Sequence, residues 1–210
     1  MSDPNPAAGR AYTHVKTRIL SGDLAGGTLV SEVQVGMELG LSRTPVHEAF
    51  LRLDAERLLT LSSRKGAVIT PISPREARNV LEMREAVEAT AARRMVEDGS
   101  TDKTLPALAS VLERQRVHAA EGDVDRFVAA DEEFHSLVID GSGNDIAAQF
   151  YAQLRDRQQR LRHLLLRLRP GDLAGACGDH EHLADALAKS DADEYARVLH
   201  AHMARYEGAL

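Results

Sequence analysis

Leu39-Gly40-Leu41-Ser42-Arg43-Thr44-Pro45-Val46-His47-Glu48-Ala49-Phe50 decides the fold. A glycine after an apolar residue closes one helix, because glycine enters the left-handed region without steric cost. Pro45 fits the first turn of the next helix, where its missing N–H is no loss, and Thr44 just before it is predicted to cap that turn. Two short helices therefore meet at a tight turn, the first running from about Ser31 to Gly40 and the second starting near Thr44. Upstream, Val15, Ile19 and Leu20 recur at helical spacing until Ser21-Gly22-Asp23 and Gly26-Gly27 stop them. Residues 1–9, rich in Pro and Ala without periodicity, read as a flexible arm. Downstream, Leu59 to Leu61 and Ala67 to Thr70 read as a hairpin whose tip, Ser62 to Gly66, is basic. A helix pair followed by a basic hairpin spells a winged helix-turn-helix over residues 10–73. In that fold the second helix of the pair enters the major groove and the hairpin reaches backbone or minor groove. Arg43, Thr44 and His47 then face DNA, Arg52 touches phosphate, and Arg64, Lys65 and Gly66 form the wing tip, where glycine admits close backbone approach. The plainer reading of the same stretch is an antiparallel helix pair in a small bundle.

Pro71-Ile72-Ser73-Pro74 resists helix and reads as a linker. Beyond it, residues 74–210 show only helical periodicity, with helices expected at about 75–98, 102–120, 123–140, 144–168, 173–188 and 191–208. The fold class is mainly α: a winged helix-turn-helix joined to an all-α antiparallel helical bundle.

The net charge of −6 argues against a nucleic-acid partner until it is divided along the chain. Residues 1–73 hold 8 Lys or Arg against 7 Asp or Glu, and residues 74–210 hold 18 against 25. Binding to DNA must rest on a local basic patch, since the first domain as a whole is nearly neutral. A lone Cys177 excludes an internal disulfide and any Cys-based zinc ribbon, so a metal must use His and carboxylates. The start MSDPNPAAGR lacks a secretory pattern and no apolar run is long enough to span a bilayer; a cytoplasmic protein without membrane partners is expected.

Of the nine histidines, the seven beyond residue 74 are the informative residues of the second half. Asp131 and His135, one helical turn apart, share a face with Phe127, Val128, Phe134 and Val138. His180 falls with Leu183, Ala184 and Leu187, whereas His182 points about 160° away. His202 falls with Val198, Leu199 and Tyr206, and His200 with Arg197 and Ala204. Periodicity thus turns Asp131, His135, His180 and His202 inward from separate helices, a donor set suited to a divalent ion, zinc first, with nickel or manganese as alternatives. Taken singly, an inward His is more often a hydrogen-bonded core residue. Arg84 lies with Val80, Leu81, Val87 and Ala91, and a buried guanidinium wants an anion: Glu88 in an internal salt bridge, or the carboxylate of a ligand. Arg155, Arg162 and Arg169 are expected on a solvated or dimer-contact face, and Glu132 and Glu133 should point away from Asp131.

The stretch from Ile19 to Pro74, above all Ser31-Glu32, LGLSRTP at 39–45, Glu48-Ala49 and Arg64-Lys65-Gly66, resembles the GntR family of bacterial regulators. DEEFH at 131–135, Asn144 after a Gly-rich break, Asp179-His180 and His202 resemble the FadR-type C-terminal domain called FCD. The resemblance implies that Asp131, His135, His180 and His202 hold a metal beneath an effector pocket. It also implies that Arg84 and Asn144 contact the effector, commonly an organic acid. Positions 33 and 47 are commonly Arg in that family, and here they are Val33 and His47; Asp179 stands where Glu is common. The expected function is a transcriptional regulator, a homodimeric repressor on double-stranded palindromic operator DNA, tuned by a small carboxylate. Two other readings stand beside it: a metal-dependent hydrolytic enzyme using the Asp/His site, and a helical interaction scaffold.

Overall fold

The computed structural model describes residues 5–62 and 66–205, Pro170 by its backbone alone. Contacts divide the chain into two compact units that meet between Ile72 and Ser73.

In the first unit, helix α1 spans Pro6–Leu20. The flexible-arm reading is corrected for residues 6–9: the Asn5 side chain accepts from the Ala8 N–H and Pro6 opens the first turn, so the chain is helical from there. Residues 1–4 lie outside the described ones. Strand β1 is Leu29–Val30, α2 is Glu32–Leu39 and α3 is Arg43–Ala55. Ser31 caps α2 through the Gln34 N–H, and Gly40 closes it at φ 64° while Leu41 N–H bonds back to Gly36. The cap of α3 is Ser42 rather than Thr44, which places Pro45 third in the helix. Proline still loses no bond there, because the N–H groups of the first turn have no intrahelical acceptor. Strands β2, Leu59–Ser62, and β3, Gly66–Ile69, pair antiparallel with Leu59 opposite Ile69. β1 adds to the far edge of β3, giving the order β1-β3-β2. The sequence reading lacked β1, since two residues are too few to show alternation. Val15, Ile19, Val35, Val46, Phe50, Leu53, Leu59 and Ile69 form an apolar core.

In the second unit Ser73 caps α4, Pro74–Glu97, with Pro74 in its first turn. Then come α5, Thr101–Glu121, α6, Val124–Gly141, and α7, Asp145–Leu168. A 3₁₀ turn at Pro170–Asp172 leads into α8, Leu173–Ala188, and α9, Ala192–Ala204. The last helix was expected to reach 208; residues 206–208 lie outside the described ones. α6 packs against α4, α5, α7 and α8, so it is the axis of this unit. Leu108, Val111, Phe134, Val138, Leu183, Leu187, Tyr195 and Leu199 fill its core.

Candidate nucleic-acid face and buried metal centre

At the start of α3, Arg43, Thr44 and His47 are exposed, as expected for side chains that meet DNA. Two of them are tied from below. Arg43 Nε donates to Glu32 Oε2 at 2.8 Å, and His47 Nδ1 lies 2.7 Å from Glu32 Oε1. Glu32, at the first position of α2, is only 6% exposed. Burial alone would raise its pKa, but the bonds from Arg43 and His47 outweigh that and hold the carboxyl below its usual range. Arg52 is exposed and its guanidinium stacks on the Tyr12 ring at 4.0 Å; the Tyr12 hydroxyl donates to Glu56. Val33 and Met37 stand exposed on α2. Arg64 and Lys65 lie outside the described residues. Gly66 has φ 105°, and a Cβ there would collide with the Val30 carbonyl oxygen. Its lack of a side chain is thus demanded by the packing of β1 on β3, whatever it does toward DNA.

In the second unit the four inward residues meet. Asp131, His135, His180 and His202 are all buried, and one ligand atom from each lies within 4.8 Å of the others. Each imidazole is held from outside by its Nδ1. His135 Nδ1 is 2.7 Å from Glu88 Oε1, which also accepts from the Tyr195 hydroxyl. His180 Nδ1 is 2.7 Å from Gln115 Oε1, and that amide is oriented by its nitrogen donating to the Ala130 carbonyl. His202 Nδ1 is 3.1 Å from Asp179 Oδ2, and Arg205 grips the same carboxylate. These acceptors assign the proton to Nδ1 in each ring and leave Nε2 as an inward lone pair. His135 Nε2 and His180 Nε2 then face each other at 3.1 Å with no hydrogen between them, beside Asp131 Oδ1 3.4 Å from His180 Nε2. Such a convergence of lone pairs suits a cation. A proton is a poor candidate: burial pushes His180 down to about 3 and lowers His135 and His202 as well. A divalent ion fits, with Glu88, Gln115 and Asp179 as the outer partners that fix ring orientation.

Beside this cluster lies a polar ring that the sequence only partly showed. Arg84 is buried; its Nε is 3.7 Å from Glu88 Oε2 and its Nη2 3.8 Å from Asp131 Oδ2, both too long for hydrogen bonds. Arg162, expected on a solvated face, is instead buried against Asp131 and 3.7 Å from Glu132. Glu132 therefore turns toward this ring, correcting the expectation that it points away; Glu133 does point outward, to Arg114. Tyr151, Gln158 and Arg162 recur on one face of α7, and among the described residues the Tyr151 hydroxyl, both Gln158 polar atoms, Arg84 Nε and Nη2, and Arg162 Nη2 have no hydrogen-bond partner, while Arg162 Nη1 meets Asp131 as an ion pair. Glu88 is pushed up to about 7 by burial, partly offset by Arg84. Arg155 is exposed at 3.5 Å from Glu132, and Arg169 donates to the Arg205 carbonyl. Asn144 caps α7 through the Ala147 N–H, so its oxygen has a structural role.

Residues 7–69 match the description of the bacterial regulatory proteins of the gntR family, and residues 79–205 match the FCD domain. The chain is 26% identical over 204 residues to the HTH-type transcriptional repressor RspR of Escherichia coli K12, covering 97% of this chain and 88% of that protein. It is 25% identical over 205 residues to the gluconate operon transcriptional repressor of Bacillus licheniformis, covering 96% and 84%. Among solved structures, E. coli McbR/YncC shares the fold with a TM-score of 0.75 at 22% identity, covering 95% of this chain and 94% of that one.

Proposed function

Since the chain belongs to the GntR family of bacterial regulators and carries an FCD domain, and so is a DNA-binding transcription regulator rather than an enzyme, we propose that it is a repressor tuned by a small carboxylate. The observation that carries the effector is the pair Arg84 and Arg162, two buried guanidinium groups of which Arg84 Nε and Nη2 and Arg162 Nη2 find no hydrogen-bond partner among the described residues. A buried cation without a full set of acceptors is costly, and a carboxylate offers the planar pair of oxygens that a guanidinium fork matches. Tyr151 and Gln158 supply neutral donors for the rest of the ligand, and the Asn144 amide nitrogen is a further one. Asp131, His135, His180 and His202 would hold a divalent ion, zinc before nickel or manganese, which supplies a Lewis-acidic position for a ligand oxygen.

The operator is read by Arg43, Thr44 and His47 on α3, with Arg52, Arg64, Lys65 and Gly66 along the backbone, and the protein acts as a homodimer on a palindromic site. An effector changes operator affinity only by binding the DNA-competent and DNA-incompetent states unequally. Thermal unfolding against a panel of carboxylic acids, with and without chelator, tests this directly. A stabilising acid whose effect vanishes in Arg84→Met and Arg162→Met supports the reading; equal stabilisation of those variants and the parent protein counts against it.

Among the described residues, no helix is long and apolar enough to cross a membrane.

A further inference from the structure

We propose that Glu32 is a positioning residue for operator recognition, and that through it His47 presents Nε2 to DNA as a hydrogen-bond acceptor, so that this chain selects a base offering a donor where an arginine would select guanine. This rests on α3 being the helix that enters the major groove.

Glu32 is nearly buried at the first turn of α2, yet it points at the neighbouring helix rather than at its own N-terminal N–H groups alone. Each of its oxygens takes one α3 side chain: Oε2 the Nε of Arg43, Oε1 the Nδ1 of His47. Arg43 is thus held by the inner nitrogen of its guanidinium, while the side chain as a whole stays 74% exposed, so its Nη groups face outward. His47 is likewise about half exposed with its inner nitrogen engaged. The carboxylate is acceptor-only, so the Nδ1 of His47 must carry the hydrogen, and the ring in its neutral form shows Nε2 as a lone pair.

In the major groove the available donors are adenine N6–H and cytosine N4–H; guanine shows acceptors there. An acceptor at residue 47 therefore favours adenine or cytosine. Val33, exposed on α2, adds no charge that could override this choice.

The test is selection of bound sequences from DNA randomised over a half-site, using the full-length protein and the variants His47→Ala, His47→Arg, Arg43→Ala and Glu32→Gln. The parent protein is expected to prefer adenine or cytosine at one position per half-site by about fivefold or more, the scale of one mismatched pair. His47→Ala should flatten that position alone, and His47→Arg should turn it to guanine. Glu32→Gln should blunt the positions read by residues 43 and 47 together while sparing the others, a pattern that general destabilisation does not produce. Should Glu32→Gln fail to fold, the His47 variants decide the matter, since their side chains are exposed. Guanine preference in the parent protein, or an unchanged profile in His47→Ala or Glu32→Gln, overturns the proposal. A profile indifferent to both Arg43→Ala and His47→Ala would instead overturn the placement of α3 in the groove.

Discussion

The two units keep their polar chemistry in opposite places. In the first, the core cluster is apolar, the buried carboxylate of Glu32 turns to the surface of α3, and Arg43, Thr44 and His47 project from that surface. In the second, the carboxyl groups of Glu88 and Asp131, the imidazoles of His135, His180 and His202 and the guanidinium groups of Arg84 and Arg162 occupy the interior between α4, α6, α7, α8 and α9. Removing a side chain from α3 should therefore change binding and leave folding alone, whereas removing one from the interior of the second unit should change both. Buried charges couple function to stability because each lost partner leaves another group unpaired in low dielectric.

The largest effect expected from this contrast is at the imidazoles. His180→Ala and His202→Ala should each lower metal affinity by more than the roughly 10- to 100-fold typical of losing an outer partner, and His182→Ala and His200→Ala should do neither. His182 and His200 are exposed, the latter 3.0 Å from Glu85. Metal content of the four purified proteins decides it: equal loss in all, or none in any, would erase the distinction between inward and outward histidines. Next comes Arg162→Leu, which strips Asp131 of its closest cation and should cost the metal-free protein about 3–5 kcal/mol in chemical denaturation. A change within about 0.5 kcal/mol, as for a surface residue, would return Arg162 to the solvated face first read from the sequence.

Acid should act on the second unit with a definite sign. Burial lowers His135, His180 and His202 below 6.5, so the unfolded chain takes up protons there first and stability falls as pH drops below that value. Glu88 works in the opposite sense: raised by burial to about 7 from 4.5, it keeps a proton in the folded state that the unfolded chain has lost. Three lowered imidazoles outnumber the two raised carboxyls, Glu88 and Glu132, so the net effect is a loss of stability as pH falls from about 6.5. Urea midpoints with chelator present, from pH 7 to 5, should fall accordingly; a rising midpoint would mean that these rings are charged in the folded state.

For the first unit, Arg43→Ala should weaken operator binding by about 1–3 kcal/mol with an unaltered melting temperature. Loss of melting temperature in step with affinity would place Arg43 among residues that hold the fold, as in the second unit. Smallest is His47→Arg, which should tighten binding to operators typical of the family by restoring a charged fork. Weaker binding there would show His47 to be matched to a different base.

Legibility followed the same division. Gly40, Pro45 and the apolar period of α2 and α3 are local signals, and they placed the helix pair to within two residues. His135, His180 and His202 were legible because each sits on a helix with one apolar stripe, so the inward direction was unambiguous. Arg162 was not, because α7 is buried on several sides at once: Arg160, Leu161, Arg162, His163, Leu165 and Leu166 are all buried, and no polar stripe remains to mark a solvent face. Glu32 escaped for another reason. An acid in the first turn of a helix is so common a partner of the helix dipole that nothing in the sequence marked it as facing a second helix. Gly66 was read as a wing-tip glycine that admits DNA, whereas the packing need for glycine there comes from Val30, on a strand too short to be seen.

The carboxylate of Glu32 also limits how operator recognition can evolve. A drift at position 43 or 47 to an apolar residue would take from this carboxylate one of the two α3 donors that hold it and set an apolar side chain beside it. The substitutions open to a lineage are then those that still donate inward, such as Arg, Lys, Asn, Gln or His, whatever they show to the DNA. Operator specificity in such a lineage should change by steps among these few residues, and a leap to an apolar reader of thymine methyl groups should first require the loss of the acid at 32.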